Sequence, residues 1–371
     1  MKPIKLAWDD CFPRRNLTGS GVYAARLLEH LTGNQALDLT VFSGWPDGRS
    51  GGSLVRRVLK ISGNLAWTHL DLPFRLWKGG FEVLHSPAFI APLRSPCPAV
   101  ITVHDITYLL YPSHFAAWWV HYMKSVMPVT IKSAAAIICG SEHSRRDLIT
   151  AYKLPSAKVH VIPYGVEHRQ FRQGALLDEG WRRLAGIRDG YVLHVGGFYE
   201  RKNIPVLLRA VADLRSRGKW ADRQLVLAGA EAPGIMGADE IHRTIAELEL
   251  AANIVLPGRV PDEHLPGLYA QAALVVMPSL YEGFGFPVLE AMAAGTPVVA
   301  SNTSSLPEIA GDAAILVLPS DISGFADAIG QVLGNAGLAA ELRGRGLERA
   351  RQFTWQRTAA ATIDVYRSVA R

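Results

Sequence analysis

One pattern occurs twice along this chain: short strand-like segments alternate with segments of helical spacing. A chain that alternates in this way forms parallel sheets with helices on both faces. The region 166–188 has little strand character and separates the two series. We therefore predict an α/β protein with two doubly wound, Rossmann-like domains. The predicted strands are 4–8, 37–43, 81–86, 99–105, 135–141 and 158–165, then 191–197, 224–230, 253–260, 273–279, 297–301 and 314–319; the predicted helices are 22–31, 144–152, 204–218, 238–250, 263–271, 287–294 and 323–334.

The length of 371 residues also favours two domains over one. We predict a first domain over 1–168 and a second over 185–350, with a C-terminal helix at about 353–371 that packs back on the first. Open α/β sheets bind ligands beyond the carboxyl ends of their strands. Two such domains that face each other therefore predict an active site in the cleft between them.

The composition excludes several classes of protein. Hydrophobic residues make up 49% of the chain and charged residues 19%, which predicts a sizeable core rather than disorder. The excess of Lys and Arg over Asp and Glu, 39 − 33 = 6, suits an anionic ligand or an anionic membrane surface, and we expect no nucleic-acid partner. Three widely spaced cysteines and an N-terminus without a signal-like apolar run predict a cytoplasmic protein with reduced thiols. A membrane span of about 18 uninterrupted apolar residues is not found in the sequence.

The segment "YEGFGFPVLEAMAAGTPVVAS" (281–301) carries the most chemical information. It places Glu282 and Glu290 eight positions apart, on either side of a loop that joins a buried strand to a helix with Pro287 at its start. Its glycines let the backbone approach a ligand, and a helix start binds anions. Two carboxylates without a nearby His or Asp are a poor metal site, as is the adjacent pair Asp9–Asp10. The pattern favours an anion site over an acid/base pair, a metal site or ordinary acidic residues at a helix start.

Two further glycine-rich turns precede helices. In "VGGFYERKN" (195–203), Gly196 and Gly197 form a tight turn, and Arg201 and Lys202 supply two cations that suit phosphate. The alternative is a solvated basic turn. In "LTGSGVYAARLL" (17–28), Gly19 and Gly21 lead into the first predicted helix, as a phosphate loop or as a plain N-cap turn.

A histidine also lies at a strand end, in "TVHDI" (102–106). His104 follows a buried strand and precedes an Asp, so it is a candidate for substrate contact or else a structural histidine. His85 ends another strand and is a weaker candidate.

With these motifs in place, nearly the whole chain resembles the retaining glycosyltransferases of family 4, which have the GT-B architecture of two Rossmann-like domains facing a cleft. The strongest element is the pair of glutamates in "PSLYEGFGFPVLEAMAAGTPVVAS". The segments "GGFYERKN", "VIPYGVE", "CGSEHSRRDL" and "SSLPEIAGDAAILVLP" are also similar to family segments, in the same order.

The resemblance implies a role for each candidate. Glu290 would bind the ribose of a nucleotide, and Arg201 and Lys202 would neutralise its diphosphate. Glu282 would bind hydroxyls of the transferred sugar, and His104 would lie at the reacting centre. The remaining contacts to the donor would come from backbone or nearby residues at Gly19, Gly21, Gly283, Phe284, Gly285 and Phe286, and from Arg259 and Val260 beside the base. Many relatives have Arg where this chain has Gly197, which puts more of the cationic role on Arg201 and Lys202.

The resemblance further implies a metal-independent enzyme without cofactors, in which the leaving phosphate itself takes the acceptor's proton and the anomeric configuration is retained. The chain is similar to bacterial mannosyltransferases that assemble O-antigen and exopolysaccharide, so we expect GDP-mannose as the donor. UDP-sugars remain an alternative. Basic and aromatic residues mix in 53–80 and 115–132, which suits a lipid-linked saccharide acceptor at the inner face of the cytoplasmic membrane, unless these aromatics are core. The other open alternatives are a phosphorylase-like enzyme and a nucleotide-sugar-binding protein without catalysis.

Overall fold

A computed structural model of the chain describes residues 2–11, 19–44, 63, 65–220, 222–231 and 237–370. Its internal contacts divide the chain into two compact units. The first unit comprises residues 1–109, 117–165 and 355–371, and the second comprises 110–116 and 166–354. Each unit has one parallel sheet of six strands.

The sheet of the first unit has the strand order β2-β1-β3-β4-β5-β6, and every neighbouring pair is parallel. The middle strands β3, β4 and β5 are buried along their whole length, as expected of a sheet covered on both faces. The strands are β1 Ile4–Asp9, β2 Leu37–Phe42, β3 Val83–Ser86, β4 Ala99–Thr102, β5 Ala136–Cys139 and β6 Val159–Val161.

Six helices lie in the described part of the first unit, although Leu110, the last residue of one of them, belongs to the second unit. They are α1 Gly19–Leu31, α2 Leu72–Gly79, α3 Thr107–Leu110, α4 Ala117–Ser133, α5 Glu142–Tyr152 and, at the end of the chain, the helix Trp355–Val369; a π-helical turn, Trp67–Asp71, precedes α2. The sequence placed Gly19 and Gly21 in a loop before α1, but the helix already begins at Gly19. Gly21 lies within this helix and is buried, so this part of the predicted glycine-rich turn is helical. The residues 53–62 and 64 of the predicted basic and aromatic stretch lie outside the described residues.

The sheet of the second unit has the order β12-β11-β10-β7-β8-β9, also parallel throughout. Its strands are β7 Val192–Val195, β8 Leu225–Ala228, β9 Ile254–Gly258, β10 Leu274–Met277, β11 Val298–Ser301 and β12 Ile315–Val317. Its helices are α6 Glu179–Leu184, α7 Ile204–Ser216, α8 Ala238–Glu247, α9 Leu265–Gln271, α10 Phe286–Ala293, α11 Leu306–Ala310, α12 Ile322–Gly334 and α13 Ala336–Ala350. The helix Trp355–Val369 of the first unit is therefore α14.

Helical spacing explains how α7 covers the second sheet. Leu207, Leu208, Val211 and Leu214 recur every three or four residues, lie on one face and are buried in the core of the unit. Gly218, two positions beyond the helix, has a left-handed φ of 67°, which a glycine adopts without strain. The two predicted series of strands and helices are confirmed along both units.

Helix α14 joins the first unit although its residues follow the whole second unit in sequence. The Thr358 hydroxyl donates to the backbone carbonyl of Pro163 at 2.8 Å, and the Trp355 ring lies 6.2 Å from the ring of Tyr23 on α1. Among the described residues, none of the helices has both the length and the apolar character that a bilayer crossing requires.

Candidate active site

In the second unit, two loops emerge side by side at the carboxyl edge of the sheet. Strands β7 and β10 are neighbours, so the turn that follows β7 and the loop that follows β10 leave the same edge. The backbone N–H of Leu280 donates to the carbonyl of Arg201 at 2.7 Å and ties the two loops together. The sequence motifs "GGFYERKN" and "YEGFGF" therefore form one site.

The centre of this site is a buried charged cluster of two cations and one carboxylate. Glu282 Oε1 accepts hydrogen bonds from Lys202 Nζ at 2.6 Å and from Ser279 Oγ at 2.7 Å, and Oε2 accepts from Arg201 Nη1 at 3.0 Å. Glu282 and Lys202 are each 6% exposed, whereas the Arg201 side chain is 19% exposed. Burial alone would raise the pKa of Glu282, but the charges of Lys202 and Arg201 outweigh it and lower the pKa to about 2.

The turn after β7 is held by contacts that the sequence did not reveal. Asn203 has a left-handed φ of 55°, and its side-chain amide donates to the carbonyls of Pro278 at 3.0 Å and Pro319 at 2.7 Å. Arg201 and Lys202 lie immediately before it, in the 3₁₀ turn Glu200–Lys202. Asn203 therefore fixes the end of the turn from which both cations project.

The loop before α10 has a backbone that favours glycine. Gly285 has a φ of 118°, and a Cβ at this position would approach Leu306 Cδ2 to 3.0 Å. The helix α10 begins at Phe286 with Pro287 in its first turn, as predicted. The backbone of this loop also hydrogen bonds to Ser304 and Ser305, in a segment to which the sequence assigned no role.

Glu290 is the second acidic residue of the motif, and it differs from Glu282. It is the fifth residue of α10, and it is half-buried. Burial raises its pKa to about 7; the Asp262 charge also raises it, while the neighbouring Tyr269 hydroxyl and the charge of Lys202 lower it. This carboxyl group therefore changes charge near neutral pH, and Glu282 does not.

The remaining candidates of the second unit surround this edge. Arg259 is half-exposed and lies 3.9 Å from Asp262, and Val260 is buried. Gly197 belongs to a tight turn, because a Cβ there would meet the Tyr199 ring at 2.7 Å.

One buried histidine was missed. His194 on β7 is fully buried, its Nδ1 donates to the carbonyl of Val276 at 3.0 Å, and its pKa is lowered to about 4 by burial and by the charge of Lys202. Its position in the sequence, two residues before the glycine pair, was the only available signal.

In the first unit, both candidate histidines are already hydrogen bonded. His104 Nε2 donates to the carbonyl of Pro87 at 3.1 Å, and Nδ1 accepts from the Tyr164 hydroxyl at 2.8 Å. The tautomer follows from these partners, because a carbonyl can only accept. Burial lowers the pKa of His104 to about 4. The contact between His104 and a substrate stays a prediction.

His85 belongs to a chain of neutral hydrogen bonds. Its Nδ1 is 2.5 Å from the Tyr366 hydroxyl and its Nε2 is 2.9 Å from Thr102 Oγ1, which is 3.1 Å from the Tyr23 hydroxyl. Burial lowers the pKa of His85 to about 3, so the ring is neutral at physiological pH. These contacts give His85 a structural role that links α14 to the sheet.

The acidic pair at the end of β1 contains another carboxyl group with a raised pKa. Asp9 is buried and its Oδ1 accepts from the Cys11 backbone N–H at 3.2 Å. Burial raises the pKa of Asp9 to about 7. This side chain caps the turn that follows the strand.

Comparisons with known proteins identify the family of the chain. Residues 17–170 match the family model "Glycosyltransferase Family 4", and residues 183–352 match "Glycosyl transferases group 1". The chain is 33% identical over 288 residues to O-antigen chain mannosyltransferase B of Escherichia coli, covering 77% of this chain and 74% of that protein. It is 30% identical over 311 residues to the MMP alpha-(1->4)-mannosyltransferase of Mycolicibacterium hassiacum, covering 78% and 71%.

Solved structures share the fold at low identity. Sucrose-phosphate synthase from Thermosynechococcus elongatus superposes with a TM-score of 0.73 at 22% identity, over 99% of both chains. Anabaena HepE in complex with UDP-glucose gives a TM-score of 0.72 at 18% identity, over 98% of this chain and 100% of that one. The two parallel six-stranded sheets have the GT-B fold, as the sequence predicted. The family model over 183–352 and the two mannosyltransferase relatives show that the chain is a glycosyltransferase. Within that class, the chain belongs to the family 4 glycosyltransferases.

Proposed function

We propose that this glycosyltransferase moves mannose from GDP-mannose to a lipid-linked saccharide, with retention of the anomeric configuration. The observation that carries the proposal is the buried cluster of Arg201, Lys202 and Glu282 at the strand edge, next to the start of α10. The identity to two mannosyltransferases supports mannose as the sugar.

The cluster suits a reaction in which negative charge develops on a leaving diphosphate. As the bond between the sugar C1 and the phosphate oxygen breaks, the electron pair stays on the diphosphate. Fixed cations that are already desolvated stabilise that charge without reorganisation. Arg201, the more exposed cation, would reach the diphosphate, while the more buried Lys202 would support it from behind.

The two glutamates would hold different parts of the donor. Glu282 stays ionised at every physiological pH and can accept hydrogen bonds from sugar hydroxyls. Glu290 would accept from the ribose hydroxyls, with Arg259 and the backbone of Val260 beside the base. The backbone from Gly283 to Phe286 would line the sugar and phosphate.

Retention requires that the acceptor oxygen attack C1 on the face that the phosphate leaves. The acceptor's hydroxyl proton then passes to the departing phosphate oxygen, so that protons and charge balance without a protein base. This route asks for no pair of catalytic carboxylates, and it needs no metal or cofactor. We assign His104 to the reacting centre, and Gly19 and Gly21 to the vicinity of the phosphates.

An exposed aromatic and basic helix in the first unit supports a membrane-associated acceptor. Helix α2 buries Leu72 and Leu76, whereas Phe74 and Trp77 on the rest of its surface are 58% and 71% exposed. Lys78, in its last turn, is exposed as well. Aromatic rings flanked by cations bind the interface of an anionic bilayer. We therefore place the enzyme on the inner face of the cytoplasmic membrane.

A donor screen tests the central proposal. Thermal shift and product release would be measured with GDP-mannose, GDP, UDP-glucose and UDP, using a membrane extract as acceptor source. We expect the largest shift and mannose transfer with GDP-mannose. A preference for a UDP-sugar would show that the donor is that sugar and not GDP-mannose. A nucleotide sugar that binds without any transfer or release would favour a binding protein without catalysis.

The role of Glu282 is tested with Glu282→Gln, which keeps the shape of the side chain. Glu282→Gln and Glu282→Ala both remove the negative charge between Arg201 and Lys202, but glutamine keeps one amide oxygen that can accept a hydrogen bond from either cation, whereas alanine keeps none. We expect transfer to fall about 100-fold or more, with the affinity for GDP nearly unchanged. Turnover close to that of the parent protein would show that Glu282 has no role in sugar transfer.

A further inference from the structure

The segment between β11 and α11 hydrogen bonds to the loop that carries Glu282. We propose that Ser305, together with Ser304, is a positioning residue that sets the backbone of this loop for the donor sugar before the donor binds. The inference rests on the sugar-binding role of Glu282 proposed above.

The single proton of the Ser305 hydroxyl is shared between two carbonyls of the loop. It lies 2.6 Å from the carbonyl oxygen of Phe284 and 2.9 Å from that of Glu282, and Ser305 is fully buried. Ser305 is also the N-cap residue of α11, where a serine side chain usually accepts from a backbone N–H of the helix. No such capping bond is present here, and the hydroxyl is directed at the loop instead.

Ser304 also hydrogen bonds to the backbone of Glu282. Its Oγ accepts from the backbone N–H of Glu282 at 3.0 Å. Ser304 has a left-handed φ of 52°, a conformation that costs a residue with a side chain of order 1 kcal/mol. Glycine would avoid that cost but would lack the acceptor, so the hydroxyl itself explains why serine occupies the position.

The two serines therefore fix both backbone polar groups of Glu282, while its carboxylate is fixed by Ser279, Lys202 and Arg201. Because the backbone and the carboxylate of Glu282 are both fixed, this residue loses little further freedom when it binds a sugar. Ordering that is completed during folding does not have to occur at each binding event, which favours tight and correctly oriented binding.

This role predicts an effect specific to the sugar. In the proposed function GDP does not contact Glu282, whereas GDP-mannose does. Loss of the Ser305 hydroxyl should therefore weaken GDP-mannose and leave GDP nearly unaffected. A purely structural serine would change both affinities together or change only the melting temperature.

The experiment compares Ser305→Ala with Ser301→Ala in the full chain. Ser301 is a matched control, because it is also fully buried at the end of β11 and its hydroxyl has no hydrogen-bond partner among the described residues. Calorimetry with GDP-mannose and with GDP, and kcat and KM for transfer, would be measured for both variants. For Ser305→Ala we expect about tenfold weaker GDP-mannose binding and lower kcat, with GDP within about twofold of the parent. Ser301→Ala should match the parent in all of these quantities.

Ser304→Ala and Ser304→Gly provide a second route if Ser305→Ala does not fold. Both remove the acceptor for the Glu282 N–H, but Ser304→Gly relieves the left-handed backbone; we expect both to lose sugar-dependent affinity, although Ser304→Gly is the more stable. Equal losses for GDP and GDP-mannose, or no loss, in a parent that transfers mannose would overturn the serine role alone. A parent that binds no nucleotide sugar would overturn the proposed function, and the serine role with it. If the donor screen selects a UDP-sugar, the same comparison applies to that sugar and UDP.

Discussion

Both units bury polar side chains at their sheets, but one set is neutral and the other is charged. In the first unit, His85 joins the hydroxyls of Thr102 and Tyr366, and burial keeps the imidazole uncharged. In the second unit, Arg201, Lys202 and Glu282 keep three charges in a comparable environment. The same fold therefore supports two kinds of buried polar cluster.

The difference follows from how each cluster is balanced. A neutral hydrogen bond in the interior contributes about 1 kcal/mol, and little charge has to be desolvated. A buried ion cluster gives weak net stability, because desolvation opposes attraction, but removal of one partner leaves an unbalanced charge. A buried charged cluster therefore contributes little to the stability of the fold, but it is well suited to bind a charged ligand.

The largest effect is expected from Lys202→Ala. The change removes the 2.6 Å contact to Glu282 Oε1 and leaves a buried carboxylate with Arg201 and Ser279. We expect transfer to fall by about 100-fold or more and the free energy of unfolding to fall by about 3–5 kcal/mol. Activity assays and denaturant unfolding measure both, with the exposed Lys219→Ala as control. Equal stability of the two variants would show that the cluster is not balanced by Lys202.

A smaller effect is expected from Tyr366→Phe in the first unit. It removes one hydroxyl from the neutral chain and leaves His85 Nδ1 without that partner. We expect a loss of about 1–3 kcal/mol in unfolding free energy, with little dependence on salt because no charge is unbalanced. Denaturant unfolding at low and high salt would be compared with Lys202→Ala. A strong salt dependence in Tyr366→Phe would contradict the description of this cluster as neutral.

The smallest effect is expected from pH, within the second unit. With its pKa near 7, Glu290 is ionised at pH 8 and mostly protonated at pH 6, whereas Glu282 stays ionised. We expect GDP to bind about tenfold more weakly at pH 6 than at pH 8, because a protonated carboxyl accepts fewer hydrogen bonds. In Glu290→Gln this dependence should disappear, as calorimetry at the two pH values would show.

Raising the pH changes the stability of the fold in the opposite direction from its effect on GDP binding. The folded pKa of Glu290 lies above its unfolded value, so the folded state holds the proton more tightly. Its contribution to stability is complete below about pH 4 and is lost as the pH rises through 7. We expect Glu290→Gln to melt about 2 °C higher than the parent at pH 8 and to match it at about pH 4. A variant less stable than the parent at pH 8 would contradict the raised pKa.

The order of strands and helices was predictable because periodicity and turn residues are local properties of the sequence. The neighbourhood of Arg201, Lys202 and Glu282 was predictable as well, since parallel strands end at one edge. The direct contact between the carboxylate and both cations was not, because it depends on which side chains meet across about 80 positions. For the same reason, nothing local in the sequence distinguished Ser305 from Ser301, or the acidity of Glu282 from that of Glu290.

The return of helix α14 to the first unit affects how the protein is made. All of the second unit is synthesised before residues 355–369 emerge, so that unit can complete its core while the first still lacks a helix. During that interval Tyr23 and His85 have no contact with Trp355 and Tyr366. The unit that begins first is therefore the last to finish, and protease sensitivity of nascent chains with and without α14 would report this order.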